Sequence, residues 1–283
     1  MNSVQNKVSA VIVNYCTPDL TKTCVQSLRQ WKIARDDQII VVDNASPDGS
    51  LARLREELDG IKVLDAGRNG GASYGVNIGA KEALCEYLLV LNPDTYFIDD
   101  SINIALNVFE EKADVGLIGL DLIYPDGCRQ FSARRFYSVM DILARRLPIG
   151  RYWPFNVKLD KHMMRSAWEG DTPFDADWVM GTGFIIRRDL FHRIGCMDDS
   201  YFLYMEDVDL CARVWLSGSR VVCVPNARLV HHHQRSSASG IFSWAARTHI
   251  KSLLTFSRKY RVPLFISPSP NTIRQTENHT LLE

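Results

Sequence analysis

Three acidic side chains crowd into one stretch of this chain, Glu206-Asp207-Val208-Asp209, at the head of a segment with helical apolar spacing. Carboxylates this close repel one another unless a helix N-terminus, a cation or a role as proton acceptor compensates. Helical spacing puts Glu206 and Asp209 on a similar side and Asp207 on another, so they need not share one task. Ordinary first-turn acids at a helix start are the competing reading. A second group, Asn92-Pro93-Asp94, closes an apolar run. There Asp94 can bind a hard divalent ion that bridges it to a diphosphate, or the Asn and Asp simply form an Asx turn. The third is His231-His232-His233. In extended backbone His231 and His233 share a face and His232 takes the other, so a metal or phosphate ligand lies on one side only. No Cys/His spacing of a structural zinc site accompanies them. Asp43 closes another apolar run and can accept a hydrogen bond from a pyrimidine imide, with Tyr15 offering a ring for stacking. Asn69-Gly70-Gly71-Ala72 lets backbone approach a ligand closely. Turn formation explains both of these last stretches equally well.

The elements that must position these groups are legible from apolar patterning. Residues 8–15 (VSAVIVNY), 38–42 (QIIVV), 61–64 and 87–91 (YLLVL) are short, nearly unbroken apolar runs, as expected of strands buried on both faces. Between them lie helical patterns. Thr17-Pro18 starts one that runs through Leu20, Cys24, Leu28 and Trp31; Leu51, Leu54 and Leu58 mark a second; a third extends from the Gly-rich stretch to about Glu86. Ile102, Leu106 and Phe109 stripe a fourth. Alternating strands and helices of this length predict an α/β fold with a doubly wound, mainly parallel sheet and helices on both faces. Ligands of such sheets sit at the carboxyl ends of the strands, where Tyr15, Asp43 and Asp94 fall. Residues 115–124, 178–187 and 220–224 read as further strands. A basic, aromatic insert with Arg134, Arg135, Tyr152 and Trp153 suits an acceptor pocket. An amphipathic helix is expected over 241–260, and residues 267–283 as a disordered polar tail.

Composition narrows the class. The chain has 283 residues, with 33 Lys plus Arg against 33 Asp plus Glu, so overall charge does not argue for a nucleic-acid partner. The distribution is uneven: no acidic residue lies between Asp209 and Glu277, and that quarter is strongly basic. Seven scattered cysteines without a CxxC pair suggest a reduced, cytosolic protein. No leader sequence and no apolar run of membrane-spanning length are evident. A Rossmann dehydrogenase would need glycines in the first strand-to-helix turn, where this chain has Asn14-Tyr15-Cys16-Thr17-Pro18.

Taken in order, VIVNY with Pro18, VVDNASPDGS, RNGGASYGVNIGA, LNPDT, PDG with the arginines after it, DWVMGTGFIIRR, YFLYMEDVDLCAR and VHHHQRSS resemble the inverting glycosyltransferases of family 2, and within them the rhamnosyltransferase-like group. The resemblance spans residues 8–237. It implies a GT-A fold over 1–237, with a nucleotide-binding half at about 8–115 and an acceptor half at about 116–237, followed by a basic helical extension at 238–266. It implies that Tyr15, Asp43, Asn69, Gly70, Asn77, Asn92 and Asp94 contact a nucleotide sugar. Asp94, with His231 or His232, would hold Mg²⁺ or Mn²⁺. Asn92 stands where relatives carry the first Asp of an Asp-x-Asp motif, which loosens the expectation of strict metal dependence. Asp207 matches the catalytic base, and Glu206, Trp178 and Gly181 lie toward the acceptor. The implied reaction is inverting transfer of a sugar, L-rhamnose first and galactose or glucose as alternatives, from a dTDP- or UDP-sugar. The implied acceptor is a hydroxyl of a bacterial surface glycan, carried on a polyprenyl diphosphate at the cytoplasmic membrane face. A basic extension touching an anionic membrane and a helix packed on the core are both compatible with 238–266. A nucleotide-binding protein without activity is the reading from another class.

Overall fold

The computed structural model describes residues 4–146, 152–232 and 244–280. The first half alternates as expected: β1 (Val8–Asn14), α1 (Pro18–Gln30), β2 (Ile39–Asp43), α2 (Ser50–Glu57), β3 (Lys62–Asp65), α3 (Gly71–Ala80), β4 (Tyr87–Leu91). Next come β5 (Thr95–Tyr96), α4 (Ile102–Glu111), β6 (Val115–Ile123), β7 (Ala133–Arg134), α5 (Val139–Arg146) and α6 (Phe155–His162). The chain continues through β8 (Phe174–Asp175), β9 (Trp178–Val179), β10 (Gly183–Arg187), α7 (Arg188–Arg193), α8 (Glu206–Leu216), β11 (Arg220–His231), α9 (Trp244–Lys259) and α10 (Pro270–Thr280).

One sheet runs β3-β2-β1-β4-β10-β6-β11-β5, with β8 on β11, and β7 pairs β9 apart from it. β1 pairs β2 and β4 in parallel, whereas β10 enters antiparallel between β4 and β6. Side chains of successive strand residues go to opposite faces, and two cores result. Val11, Ile40, Val42, Leu88 and Val90 join α3 and α8 on one side. Ala10, Ile12, Ile39, Val41 and Leu89 join α1 and α4 on the other. Burial on both faces is why these strands read as unbroken apolar runs.

Four expectations are corrected. The strand expected over 178–187 is two strands, because Met180-Gly181-Thr182 leaves the ladder. β11 runs seven residues past Val224 to His231: a register shift between Val224 and Arg228, with Asn226 at φ 67°, lets the strand pass Pro225. α3 ends at Ala80, short of Glu86. Residues 270–280 form a helix where a disordered tail is expected. Ser269 Oγ accepts from Thr272 N–H (3.1 Å) beside Pro270 at the first turn, and Ile273 is fully buried. Arg274 Nε donates to the Trp215 carbonyl (3.0 Å) and its guanidinium lies 5.0 Å from the Trp215 ring centre.

The sheet grips α3 closely enough to test. A Cβ on Gly79 would stand 2.5 Å from Val11 Cγ1 and 3.1 Å from Val42 Cγ2. Gly79→Ala should therefore destabilise by about 1–3 kcal/mol despite alanine's better helix propensity, measured as a lower urea midpoint. A gain in stability would show that α3 does not lie this close to β1.

Candidate active site

The acidic cluster sits at the start of α8, and two neighbours before it have positive φ, Tyr204 at 64° and Met205 at 74°. Bulky residues hold that conformation only where surrounding contacts enforce it, at a cost of roughly 1–3 kcal/mol each. The turn aims Asp207 across at the broken strand. Gly181 N–H, free of the ladder, donates to Asp207 Oδ2 (2.9 Å), and Val208 N–H donates to Asp207 Oδ1 (2.9 Å). Each oxygen keeps a second lone pair. A Cβ on Gly181 would come 3.3 Å from Asp207 Cβ, so the site favours glycine by space. Burial raises the Asp207 pKa; the Gly181 and Val208 amides and the charge of Arg134 oppose the rise. Glu206 is pushed up to about 8, by burial first and then by Asp207's charge, and its enclosed Oε2 has no hydrogen-bond partner. The third acid, Asp209, is fully buried and bound to Arg213 Nε (2.8 Å), Lys259 Nζ (2.6 Å) and the Tyr260 hydroxyl (2.8 Å), so it anchors helices.

Asp94 follows a turn that is hydrogen-bonded to the same strand break. Asn92 N–H donates to Thr182 O (2.9 Å), next to Gly181, so the turn after β4 and the break before β10 are joined edge to edge. Asn92 uses its carbonyl to accept from the Thr95 hydroxyl (2.7 Å), shaping that turn. The late pairing of β11 with β5 sets His231 opposite Thr95. His231 Nε2 then stands 3.3 Å from Asp94 Oδ2. Gln130 fixes the ring: its Nε2 donates to His231 O (2.8 Å), so its Oε1 faces Nδ1 (2.7 Å) as acceptor and the Nδ1 proton is assigned by that pairing. Nε2 and the carboxylate are thus two acceptors that require a shared positive charge, a proton or a cation. That donor set fits Mg²⁺ or Mn²⁺, which take one or two protein ligands and leave the remaining positions to phosphate and water. No cluster of three His, Cys, Asp or Glu is present among the described residues. The expectation for His232 is corrected: its ring turns the other way, 5.6 Å from Tyr96, and only its backbone N–H meets the Asp94 carbonyl (2.9 Å). His233 lies outside the described residues.

On the nucleotide side, Tyr15 is 46% exposed at the end of β1. Asp43, expected to contact the base, also braces the turn after β2. It is 0% exposed, and its oxygens accept from Asn14 Nδ2 (2.6 Å), Ser46 N–H (2.9 Å) and the Ser46 hydroxyl (2.8 Å). Asn69 Oδ1 accepts from Asn44 Nδ2 (3.0 Å) and Gly71 N–H (3.1 Å), tying the Gly-rich turn to the end of β2. Gly70 has no room for a side chain, since a Cβ would strike Tyr74. Both ends of the Asn77 amide bind the Met197 backbone, at 2.8 and 2.9 Å. Trp178 is buried and donates to the Arg135 carbonyl (2.9 Å), so it walls the acceptor side.

Two contributors, Tyr137 and His249, escaped sequence reasoning, and Arg134, read there only as part of a basic insert, has a specific place. Arg134 is buried on β7, and its Nη2 lies 3.7 Å from Met180 Sδ, one residue before Gly181. The Tyr137 hydroxyl stands 2.6 Å from both Met205 Sδ and His249 Nε2, and His249 stacks on Tyr204 with centres 4.8 Å apart. Together they clamp the strained turn. Their partners lie 68 and 112 residues away in sequence, so no local spacing signals them. A separate 470 Å³ cavity lined by Arg135, Asp177, Trp215, Arg220 and Arg274 lies at the starts of β6 and β11, the opposite end from this site.

A mainly parallel α/β sheet with a carboxylate turn, a histidine and a buried aspartate at one end matches a nucleotide-sugar transferase of the GT-A type. The chain belongs to glycosyl transferase family 2, whose model matches residues 9–207. An N-acetylglucosaminyl-diphospho-decaprenol L-rhamnosyltransferase of Mycobacterium tuberculosis is 27% identical over 245 residues, covering 81% of this chain and 79% of that protein. The rhamnosyltransferase WbbL of Escherichia coli is 26% identical over 264 residues, covering 90% and 94%. Among solved structures, the mannosyltransferase PcManGT of Pyrobaculum calidifontis with GDP-Man and Mn²⁺ superposes with TM-score 0.62 at 15% identity, over 96% of this chain and 69% of that one. GalNAc-T7 with UDP, GalNAc and Mn²⁺ gives 0.63 at 17% identity, over 98% and 55%. The protein is a glycosyltransferase.

Burial of the acidic pair gives a pH signature. A carboxyl whose folded pKa is raised binds its proton more tightly in the native state, so its contribution stabilises at low pH and is lost as pH rises. For Glu206 the loss runs from the ordinary 4.5 to about 8. The urea midpoint should fall over that window, and Glu206→Gln should flatten most of the fall; an equal slope in the variant contradicts the assignment.

Proposed function

We propose that this glycosyltransferase transfers L-rhamnose from dTDP-L-rhamnose to a hydroxyl of a growing bacterial cell-surface glycan carried on a polyprenyl diphosphate. Two relatives are named as rhamnosyltransferases, and the mycobacterial one is named for a prenyl-diphosphate acceptor. Transfer of galactose or glucose from a UDP- or dTDP-sugar is the second reading, because the site fixes the chemistry while hydroxyl stereochemistry is read by contacts a ligand would reveal. The nucleotide half is assigned to about 8–115, the acceptor half to about 116–237, and the helical extension to 238–266. Seven free thiols support work in a reducing cytosol.

One observation carries the mechanism: Asp207 is held by two backbone amides with a lone pair left on each oxygen, at the strand break that also binds the turn leading to Asp94. The acceptor hydroxyl donates to Asp207, which takes the proton as the oxygen attacks C1 from the face opposite the diphosphate. The new C–O bond forms as the C1–phosphate oxygen bond breaks, and the anomeric centre inverts. Gly181 N–H and Val208 N–H keep the carboxylate aimed through that transfer. Tyr15 offers its exposed ring to the base, and Asp43 stiffens the turn beneath it. Asp94 and His231 would hold Mg²⁺ or Mn²⁺, which neutralises charge growing on the leaving diphosphate.

Asp207→Asn keeps the side chain's size and one acceptor oxygen for a backbone amide, but cannot accept the proton. Transfer should fall by about a thousandfold with donor binding by calorimetry almost unchanged. The assay follows dTDP release and product from dTDP-L-rhamnose with Mn²⁺ and an N-acetylglucosaminyl-diphospho-prenol acceptor, beside UDP-galactose and UDP-glucose. Turnover near the wild-type rate in the variant removes Asp207 as base, and preferred use of a UDP-hexose replaces the rhamnose assignment.

A further inference from the structure

α9 has two unlike faces. Ser252, Leu253, Phe256 and Tyr260 are buried, and the helix is locked down through Tyr260 on Asp209, Ser252 on the Leu203 carbonyl (3.1 Å) and His249 on Tyr204. The opposite stripe holds Arg247, Ile250, Lys251 and Arg258 at offsets of three, four and eleven, all exposed. Ile250 is 52% exposed, and just beyond the helix Phe265 and Ile266 are each 66% exposed. Lys259, on the inner side, is paired with Asp198 and Asp209. Arg247, Lys251 and Arg258 make no ion pair among the described residues. No acidic residue occurs from 210 to 276 to supply one.

We propose that the outward face of α9, with Phe265 and Ile266, docks on the headgroups of an anionic bilayer. Charge decides the occupant. Three unpaired cations with apolar residues between them suit a surface that is negative and apolar just below, which an anionic bilayer presents and a typical protein surface does not. No described helix is long and apolar enough to cross a membrane, so the contact lies in the interfacial plane. The same helix holds the turn before the acidic pair through His249 on Tyr204 and Ser252 on the Leu203 carbonyl, so docking fixes how that turn faces the lipid surface. The surface stands whether or not the donor assignment does.

The test uses the full chain and vesicles of phosphatidylglycerol with phosphatidylcholine, against phosphatidylcholine alone. Wild-type protein should co-sediment with the anionic vesicles, less so as salt rises. Each interfacial cation contributes roughly a fivefold factor, so Arg247→Glu/Lys251→Glu/Arg258→Glu should weaken binding on the order of a hundredfold. A control with the same charge change elsewhere on the exposed surface, Lys32→Glu/Arg55→Glu/Lys81→Glu, should lose far less. Thermal midpoints and release of dTDP in bulk solution should match wild type in both triple variants, which separates this proposal from the donor assay. Phe265→Ser/Ile266→Ser should weaken binding at constant charge. Equal losses in both triple variants, no binding to anionic vesicles, or a change in oligomeric state in place of vesicle binding would each overturn the proposal.

Discussion

A peptide N–H withheld from the sheet organises this site. Between β9 and β10 the chain drops three residues out of the ladder, and Gly181 N–H turns from a strand partner to the Asp207 carboxylate at 2.9 Å. Neighbouring Thr182 keeps its carbonyl on Asn92 N–H, so the same break fixes the turn that carries Asp94. One irregularity thereby registers Asp207 against the turn that carries Asp94. A continuous strand would keep the Gly181 N–H within the sheet and leave one oxygen of a buried aspartate without a donor, a costly state.

The acidic pair is expensive to enclose, and the surrounding structure compensates unevenly. Asp207 receives two amides and the field of Arg134, while Glu206 has an enclosed oxygen with no partner. Environments this different push two adjacent carboxyls apart in proton affinity, leaving Asp207 the more readily ionised base. Two residues in left-handed conformation aim the pair, and contacts from Tyr137 and His249 hold them there. α9, through His249, is therefore part of what holds the turn carrying the acidic pair.

Local sequence showed much of this and missed what depends on distant partners. The β-branched runs gave the parallel half, because strands buried on both faces need apolar residues at every position. Asp94 was visible as a polar residue closing an apolar run, Asp207 in an acidic cluster at a helix start, and His231 in a run of three histidines. His231 and His232 could be told apart only once β5 paired with the end of β11. Asp43 and Asn77 look like ligands in sequence, and their side chains also serve Asn14, Ser46 and Met197. Helix α10 was hidden by its polar composition, although Ser269-Pro270 is a helix-start signal that outweighs the polarity of residues 271–280. Gln130 pins His231 from 101 residues away, beyond any local pattern.

The account rests on one base and one displacement at C1. Proton NMR of the product formed at the earliest turnovers reads the anomeric configuration directly. Inversion relative to the nucleotide sugar is the result expected of a single in-line attack assisted by Asp207. Retention would require a second nucleophile on the donor face and would contradict the role given to the site.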